Sequence, residues 1–245
     1  MTELHLLGQR PAVIDSGPPG LRDCPGRNDP RIGRWLIEKF CAGVREPVIV
    51  DPMCGGGQLW MLRPQGARVL GCELVGRRVD IARANGILAE EGRAEEWTPA
   101  LVPHLVAFSP PYPNCDHNSG ATAHQRELVA EKGLQAMQSI EAVPCLWRVF
   151  AQISTYRYAA PVAVIVRNWI EGQVEVDWAS EVASSMVMAG LGEVERYWRA
   201  IKPGPTEQWK VARGEYSARS GAKHRVVDRE WVLVARPDPA KELPW

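Results

Sequence analysis

Residues 51–57, DPMCGGG, have the types and order that could hold a ligand against the backbone. They follow the apolar segment 48–50, and glycines in such a turn let main-chain atoms approach a bound molecule closely. Glu73 follows a second apolar segment, and its carboxylate has two acceptor oxygens that match the paired hydroxyls of a ribose. No Gly-Lys-Ser/Thr follows the glycines, which excludes a P-loop. Together these features predict a site for a ribose-containing cofactor.

A second turn, Ser109-Pro110-Pro111-Tyr112, follows the apolar segment 105–108. Proline fixes φ, so Pro110 and Pro111 pre-set the shape of this turn. Tyr112 adds a flat face on which a planar group can stack. By itself such a run is more typical of a tight surface turn. Here, however, the run follows a predicted strand and lies about 50 residues after the glycine turn. In that position it predicts a pocket for a flat ring beside the cofactor.

The elements that must position these residues alternate between strand and helix from residue 47 onward. Apolar runs predict seven strands, at 48–50, 69–73, 87–89, 105–109, 161–166, 193–200 and 231–235. Helical spacing and end signals predict helices at 29–42, 59–62, 79–84, 146–155 and 177–189. This order predicts one α/β domain over residues 29–245, with a doubly wound, Rossmann-like, mostly parallel sheet. Residues 1–28 are rich in Pro and Gly and predict an irregular arm.

The composition excludes several classes of protein. No segment approaches the roughly 18 consecutive apolar residues that a membrane span needs. Residues 1–10 lack a secretory pattern, so we expect a cytoplasmic protein with no membrane partner. The six cysteines include no Cys-x-x-Cys pair, which argues against a zinc ribbon or a disulfide scaffold. Cys115, Asp116, His117 and His124 lie close together, but we favour a polar loop there and expect no metal.

The distribution of charge is more informative than its total, which is zero. Residues 196–225 contain eight Lys and Arg residues against two Glu residues, with Tyr and Trp interleaved. Basic groups for phosphates and flat rings for bases are what a nucleic-acid surface needs. A solvated loop whose aromatic residues pack on the core is an equal alternative.

The sequences DPMCGGG, GCEL and SPPY, in this order, resemble the class I S-adenosylmethionine-dependent methyltransferases. The resemblance covers residues 29–236 and is to the amino-methylating group typified by DNA cytosine-N4 and adenine-N6 methyltransferases. It implies S-adenosylmethionine as the cofactor and an antiparallel seventh strand at EWVLVARP. The residues that it implies around the cofactor are Asp51, Pro52, Cys54, Gly55, Gly57, Glu73, Leu74 and Trp35.

The resemblance also implies how an acceptor would be held. The Ser109 hydroxyl and the Pro110 carbonyl would accept hydrogen bonds from an exocyclic amine, and Tyr112 would stack on its ring. Serine at the first motif position favours cytosine N4 over adenine N6. Duplex DNA would have to flip out its target base to reach this pocket. We expect loops 113–138 and 201–229 to face it, with contacts from Asn114, His117, Asn118, Lys210, Arg213, Arg219, Lys223 and Arg225.

Other interpretations stay open at this stage. RNA guanine-N2 and protein glutamine methyltransferases use similar Pro-Pro-Tyr motifs, usually with Asp or Asn first. A non-catalytic nucleic-acid-binding subunit is a third possibility. The turn after the third strand reads Gly92-Arg93-Ala94, where the family often has an aspartate, so contacts to the cofactor adenine are assigned to Glu91 or to the backbone. Pro144-Cys145, which could suggest a cytosine-C5 nucleophile, precedes a helical run and is interpreted as structural.

Overall fold

The computed structural model describes residues 2–3, 28–111, 139–156, 160–171, 174–200 and 229–237. The helices in these residues are α1 (Pro30–Phe40), α2 (Gly76–Ala84), α3 (Ser139–Thr155) and α4 (Trp178–Met188). The strands are β1 (Thr2–Glu3), β2 (Val48–Asp51), β3 (Arg68–Glu73), β4 (Leu88–Glu91), β5 (Leu105–Phe108), β6 (Val162–Arg167), β7 (Trp169–Glu171), β8 (Val174–Val176), β9 (Glu195–Ala200) and β10 (Arg229–Ala235). None of the helices in this part of the chain is long and apolar enough to cross a membrane.

The main sheet has the strand order β4-β3-β2-β5-β6-β10-β9-β1. Every neighbouring pair in it is parallel except those of β10, which is antiparallel to both β6 and β9. The seven strands predicted from the sequence are therefore confirmed, as is the antiparallel direction of the last one. Thr2–Glu3, in the segment predicted to be an irregular arm, adds a short strand beside β9. The β7–β8 hairpin was not predicted.

The central strands are buried on both faces, which is why they appear in sequence as continuous apolar runs. All four residues of β2 and of β5 are buried. Alternate strand residues belong to two separate cores: Val50 and Val106 pack with α3 and α4, whereas Ile49 and Leu105 pack with α1 and α2. The sheet is thus held between two helical layers that fix the ends of its strands.

The ends of the helices are specified locally. The Asp29 side chain caps α1 by accepting a hydrogen bond from the Arg31 N–H at 3.0 Å, and Pro30 occupies the first helical position. Gly86 follows α2 with a φ of 74°, a left-handed conformation that favours glycine. The helix predicted at 59–62 is only a 3₁₀ turn, Gln58–Trp60. The helix predicted from Leu146 begins earlier, at Ser139, and contains Pro144.

Candidate cofactor and acceptor site

Both chemistry-bearing turns leave the same edge of the sheet from neighbouring strands. The chain passes from β2 to β3 on one side, whereas β5 pairs with β2 on the other side. The direction of winding therefore changes between β2 and β5. In open α/β sheets, ligands bind beyond the carboxyl ends of the strands at such a switch point. Residues 51–57 and Ser109 lie directly after these two carboxyl ends.

The glycine turn is shaped by close packing on β3 and the segment before β4. Gly57 has a φ of 78°, and a Cβ atom there would lie 2.6 Å from Ile87 Cγ1. Cys54 packs over Gly71, where an added Cβ would lie 2.6 Å from the Cys54 Sγ. Gly55 differs, because a Cβ added there would meet nothing within 4 Å. The turn is thus packed underneath and open at Gly55.

Glu73 joins the end of β3 to this turn. Its Oε2 accepts a hydrogen bond from the Gly55 N–H at 3.0 Å, and its Oε1 accepts one from the Val75 N–H at 3.0 Å. Burial raises the pKa of Glu73, although the Arg78 guanidinium, 3.9 Å away, and these backbone N–H groups oppose the rise. Each carboxylate oxygen can accept a second hydrogen bond. The carboxylate is therefore oriented at the open part of the turn and retains acceptor capacity.

Asp51, in contrast, is used to build the turn. Its Oδ2 accepts a hydrogen bond from the Trp60 indole N–H at 2.7 Å, and its Oδ1 accepts one from the Met53 N–H at 3.0 Å. The residue is 2% exposed. Burial raises the pKa of Asp51 to about 7, despite the two N–H donors, and the Glu73 charge adds to the rise. Asp51 thus fixes the course of the chain from β2 to Trp60.

The acceptor turn begins where β5 ends. Pro110 is buried, whereas Ser109 and Pro111 are half-buried, so this turn has one face toward the protein and one toward solvent. Tyr112 lies outside the described residues, as do the other residues predicted to contact the acceptor: Asn114, His117, Asn118, Lys210, Arg213, Arg219, Lys223 and Arg225. Their roles stay predictions.

Comparison with known proteins gives a match at the level of the fold. No protein-family model and no curated protein match the chain. The solved structure of TrmN from Thermus thermophilus superposes with a TM-score of 0.51 at 13% identity, over 87% of this chain and 50% of that one. This chain has the class I methyltransferase fold.

Two further matched structures have TM-scores below 0.5. A TehB-like SAM-dependent methyltransferase from Corynebacterium glutamicum gives 0.46 at 14% identity, over 84% of this chain and 87% of that one. Magnesium protoporphyrin IX methyltransferase from Synechocystis, solved with bound SAH, gives 0.46 at 10% identity, over 84% and 80%. The chain spans half the length of the TrmN structure.

Within the class I methyltransferase fold, one more residue bears on whether S-adenosylmethionine fits this turn. Gln58 is 6% exposed, and its Oε1 has no hydrogen-bond partner among the described residues. A buried acceptor without a donor costs about 1–3 kcal/mol, so a ligand donor would stabilise it. An open Gly55, an oriented Glu73 and an unpaired acceptor at Gln58 fit the glycine-turn site expected for this cofactor.

Residues predicted at the edges of the site have other contacts. The Trp35 ring packs edge-on against Phe40 and Tyr197, and Tyr197 belongs to β9. Its place beside the cofactor stays a prediction. Pro52 is buried and Leu74 is half-buried.

The side chains in and next to the turn at residues 92–94, where the resemblance would place an aspartate, make local contacts. Arg93 pairs with Glu95. The Glu91 carboxylate, which neighbours Glu73 in register, lies over the start of α2, because a Cβ on Gly76 would meet its Oε2 at 2.6 Å.

Sequence reasoning missed two residues of this site and a set of charged residues beside it. Trp60 falls in the short helix predicted at 59–62, and no role is predicted for Gln58; the one available signal is that both lie within three residues of the last glycine of the turn. The charged set lies at the same sheet edge, where the Arg199 side chain bonds both Asp29 and Glu230. Because Asp29 and Arg199 are 170 residues apart in sequence, no spacing pattern indicated this contact.

Proposed function

We propose that this protein transfers a methyl group from S-adenosylmethionine to an exocyclic amino group of a DNA base, with cytosine N4 favoured over adenine N6. The observation that carries the proposal is an adjacency at the switch point of a class I methyltransferase fold. The glycine turn bonded to Glu73 follows β2, and Ser109-Pro110-Pro111 follows the neighbouring strand β5. A donor site and an amine-binding turn would thus lie side by side.

On the donor side, Glu73 would accept hydrogen bonds from the ribose hydroxyls. Gly55 and Gly57 would let the backbone approach the methionine end, and Gln58 Oε1 would accept a hydrogen bond from it. When bound, S-adenosylmethionine supplies an already activated methyl group, so the protein mainly has to align donor and acceptor. Because Asp51 fixes the turn through Trp60, these groups are positioned before a ligand arrives.

On the acceptor side, the difficulty is that the lone pair of an exocyclic amine is delocalised into its ring. The Ser109 hydroxyl and the Pro110 carbonyl would accept the two amine N–H groups and localise the lone pair on nitrogen. Pro110 and Pro111 restrict the turn to one shape, so little entropy is lost when the amine binds. Serine is a weak base, and the surplus proton would therefore leave to solvent after the methyl group has moved.

The acceptor polymer is tested by a transfer assay. Purified protein is incubated with isotopically labelled S-adenosylmethionine and, separately, duplex DNA, RNA and a protein extract, and the products are digested and identified. We expect label on cytosine N4 or adenine N6 of DNA. Label on RNA or protein, with none on DNA, would disprove the DNA assignment.

Three variants separate the two halves of the site. Glu73→Gln should weaken binding of the product S-adenosylhomocysteine about 10- to 100-fold, because two charge-assisted hydrogen bonds become neutral ones. Tyr112→Ala should bind it normally and lose methyl transfer. Glu96→Gln, a control at an exposed carboxylate, should change neither property. Equal cofactor binding by the Glu73 and Glu96 variants would contradict the donor site.

A further inference from the structure

The glycine turn is held by a side chain from the end of α2. The Asn85 Nδ2 donates a hydrogen bond to the Gly56 carbonyl oxygen at 2.7 Å, although the two residues are 29 apart in sequence. Asn85 directly follows α2, where its own N–H bonds the Ile81 and Ala82 carbonyls. The contact therefore joins the turn that follows β2 to the end of the helix that follows β3.

Arg63 binds the same end of α2. Its Nη1 donates to the Trp60 carbonyl at 3.0 Å and to the Asn85 carbonyl at 3.3 Å, and its Nη2 donates to the Gly86 carbonyl at 3.0 Å. A guanidinium near the carboxyl end of a helix interacts favourably with the helix dipole. Arg63 does more than this, because Trp60 is also the residue whose indole bonds Asp51. The end of α2 is thus attached at two places to the chain between β2 and β3.

The glycine turn needs such contacts because three consecutive glycines cannot fix their own backbone. Glycine has more conformational freedom to lose than any other residue, and Gly55 has a left-handed φ of 54°. Before this residue, Glu73 accepts a hydrogen bond from the Gly55 N–H at 3.0 Å. After it, Asn85 donates to the Gly56 carbonyl. The two side chains therefore fix the peptide groups before and after the Gly55–Gly56 peptide, at the open part of the turn.

We propose that Asn85 and Arg63 are positioning residues that hold the glycine turn in the shape that binds S-adenosylmethionine. They act through the backbone of Gly56 and Trp60, so neither side chain has to touch the cofactor. Without them the turn would exchange between several shapes, and part of the binding free energy would be used to order it. This inference rests on the proposed function, but it concerns the donor side alone and holds for any acceptor.

Cofactor affinity tests this assignment against a matched control. Calorimetry measures S-adenosylhomocysteine binding by wild type, Asn85→Ala, Arg63→Met and Arg83→Met. Arg83 lies in the last turn of α2, and its Nε also donates to a main-chain carbonyl, but to that of Ala89 in β4, at 2.9 Å. We expect Asn85→Ala and Arg63→Met each to bind about 3- to 10-fold more weakly, which corresponds to the loss of one neutral hydrogen bond. Arg83→Met should bind as wild type does.

Amide hydrogen exchange distinguishes positioning of the turn from general destabilisation. The Gly57 N–H donates to a main-chain carbonyl within the turn at 2.8 Å, so its exchange rate reports how often the turn opens. We expect this proton to exchange about 10-fold faster in free Asn85→Ala and Arg63→Met, and saturating S-adenosylhomocysteine to restore the slow rate. The Val106 N–H, in a buried strand, should change by no more than the loss of global stability measured by urea unfolding.

The results distinguish this inference from the proposed function. Equal affinity and equal Gly57 exchange in wild type, Asn85→Ala and Arg63→Met would overturn the positioning role while the cofactor site stood. The same loss of affinity in Arg83→Met would also overturn it, because the effect would then come from α2 as a whole. If wild type itself does not bind S-adenosylhomocysteine, the proposed function is wrong. If Asn85→Ala does not fold, Arg63→Met provides the same two measurements.

Discussion

Asp51→Asn should remove a large part of the pH dependence of the protein's stability. The carboxyl group is buried with two N–H donors, from Trp60 and Met53, and burial raises its pKa to about 7. In the unfolded chain an aspartate loses its proton near pH 4. Between these values the folded state binds more protons than the unfolded state. Raising the pH therefore favours unfolding, and the stability contributed by the protonated carboxyl is lost as the pH rises through 7.

The magnitude follows from the separation of the two pKa values. Each pH unit in that interval changes the free energy of unfolding by about 1.4 kcal/mol per group. Between pH 5 and pH 8 the stability of wild type relative to Asp51→Asn should fall by about 2.5 kcal/mol, since the change levels off above the folded pKa. The asparagine also loses the hydrogen bond from Trp60, but this cost does not depend on pH.

Urea unfolding at pH 5, 6, 7 and 8 measures the effect directly, with the two proteins compared at each pH. Trp60→Phe is the matched control: it removes the indole donor and leaves the carboxyl in place, so its pH dependence should persist and extend to higher pH. If the stability difference between wild type and Asp51→Asn is constant over this range, Asp51 is ionised throughout in the folded protein. The two N–H donors would then outweigh burial, contrary to our argument.

Two further substitutions test how the turn is built. Gln58→Met should leave the free energy of unfolding unchanged or raise it by about 1 kcal/mol, because an unpaired buried acceptor is removed. The same variant should bind S-adenosylhomocysteine more weakly but should bind methylthioadenosine, which lacks the amino-acid end, as wild type does. Calorimetry with both ligands checks this. Gly33→Ala should destabilise the protein by about 1–3 kcal/mol in urea unfolding, because the added Cβ would lie 2.2 Å from the Leu59 carbonyl oxygen. Alanine normally favours a helix, so equal or greater stability of the variant would show that α1 can move away from the turn.

The strands that could be predicted are the ones whose environment leaves a local pattern. β2, β5 and β6 are buried on both faces and are apolar except for Asp51 and Arg167 at their carboxyl ends, so the sequence predicts them with nearly correct bounds. The two-residue strand β1 and the three-residue strands of the β7–β8 hairpin are too short for any period to be detected. Their pairing depends on neighbours that come from distant parts of the chain or from a turn.

The sequence predicted which residues form the site better than it predicted which atoms they contact. The glycines and Glu73 were recognised because a ligand requires those residue types at strand ends. The sequence could not show that the Asp51 carboxyl accepts a hydrogen bond from the Trp60 indole and not from a ligand, because this depends on how the 3₁₀ turn packs. The bonds that join Arg199 to Asp29 and Glu230, and Arg167 to Glu230, were missed for a different reason. These four residues come from four separate elements, and only the fold brings them together.

The donor side of the switch point has the charge that the proposed cofactor requires. Glu73 and Glu91 are the last residues of β3 and β4, and a sulfonium cofactor with an ammonium group is attracted to carboxylates at such an edge. Asp51 ends β2, but burial raises its pKa to about 7, so this carboxyl group is only partly ionised near neutral pH. The donor side therefore attracts the cofactor mainly through Glu73 and Glu91.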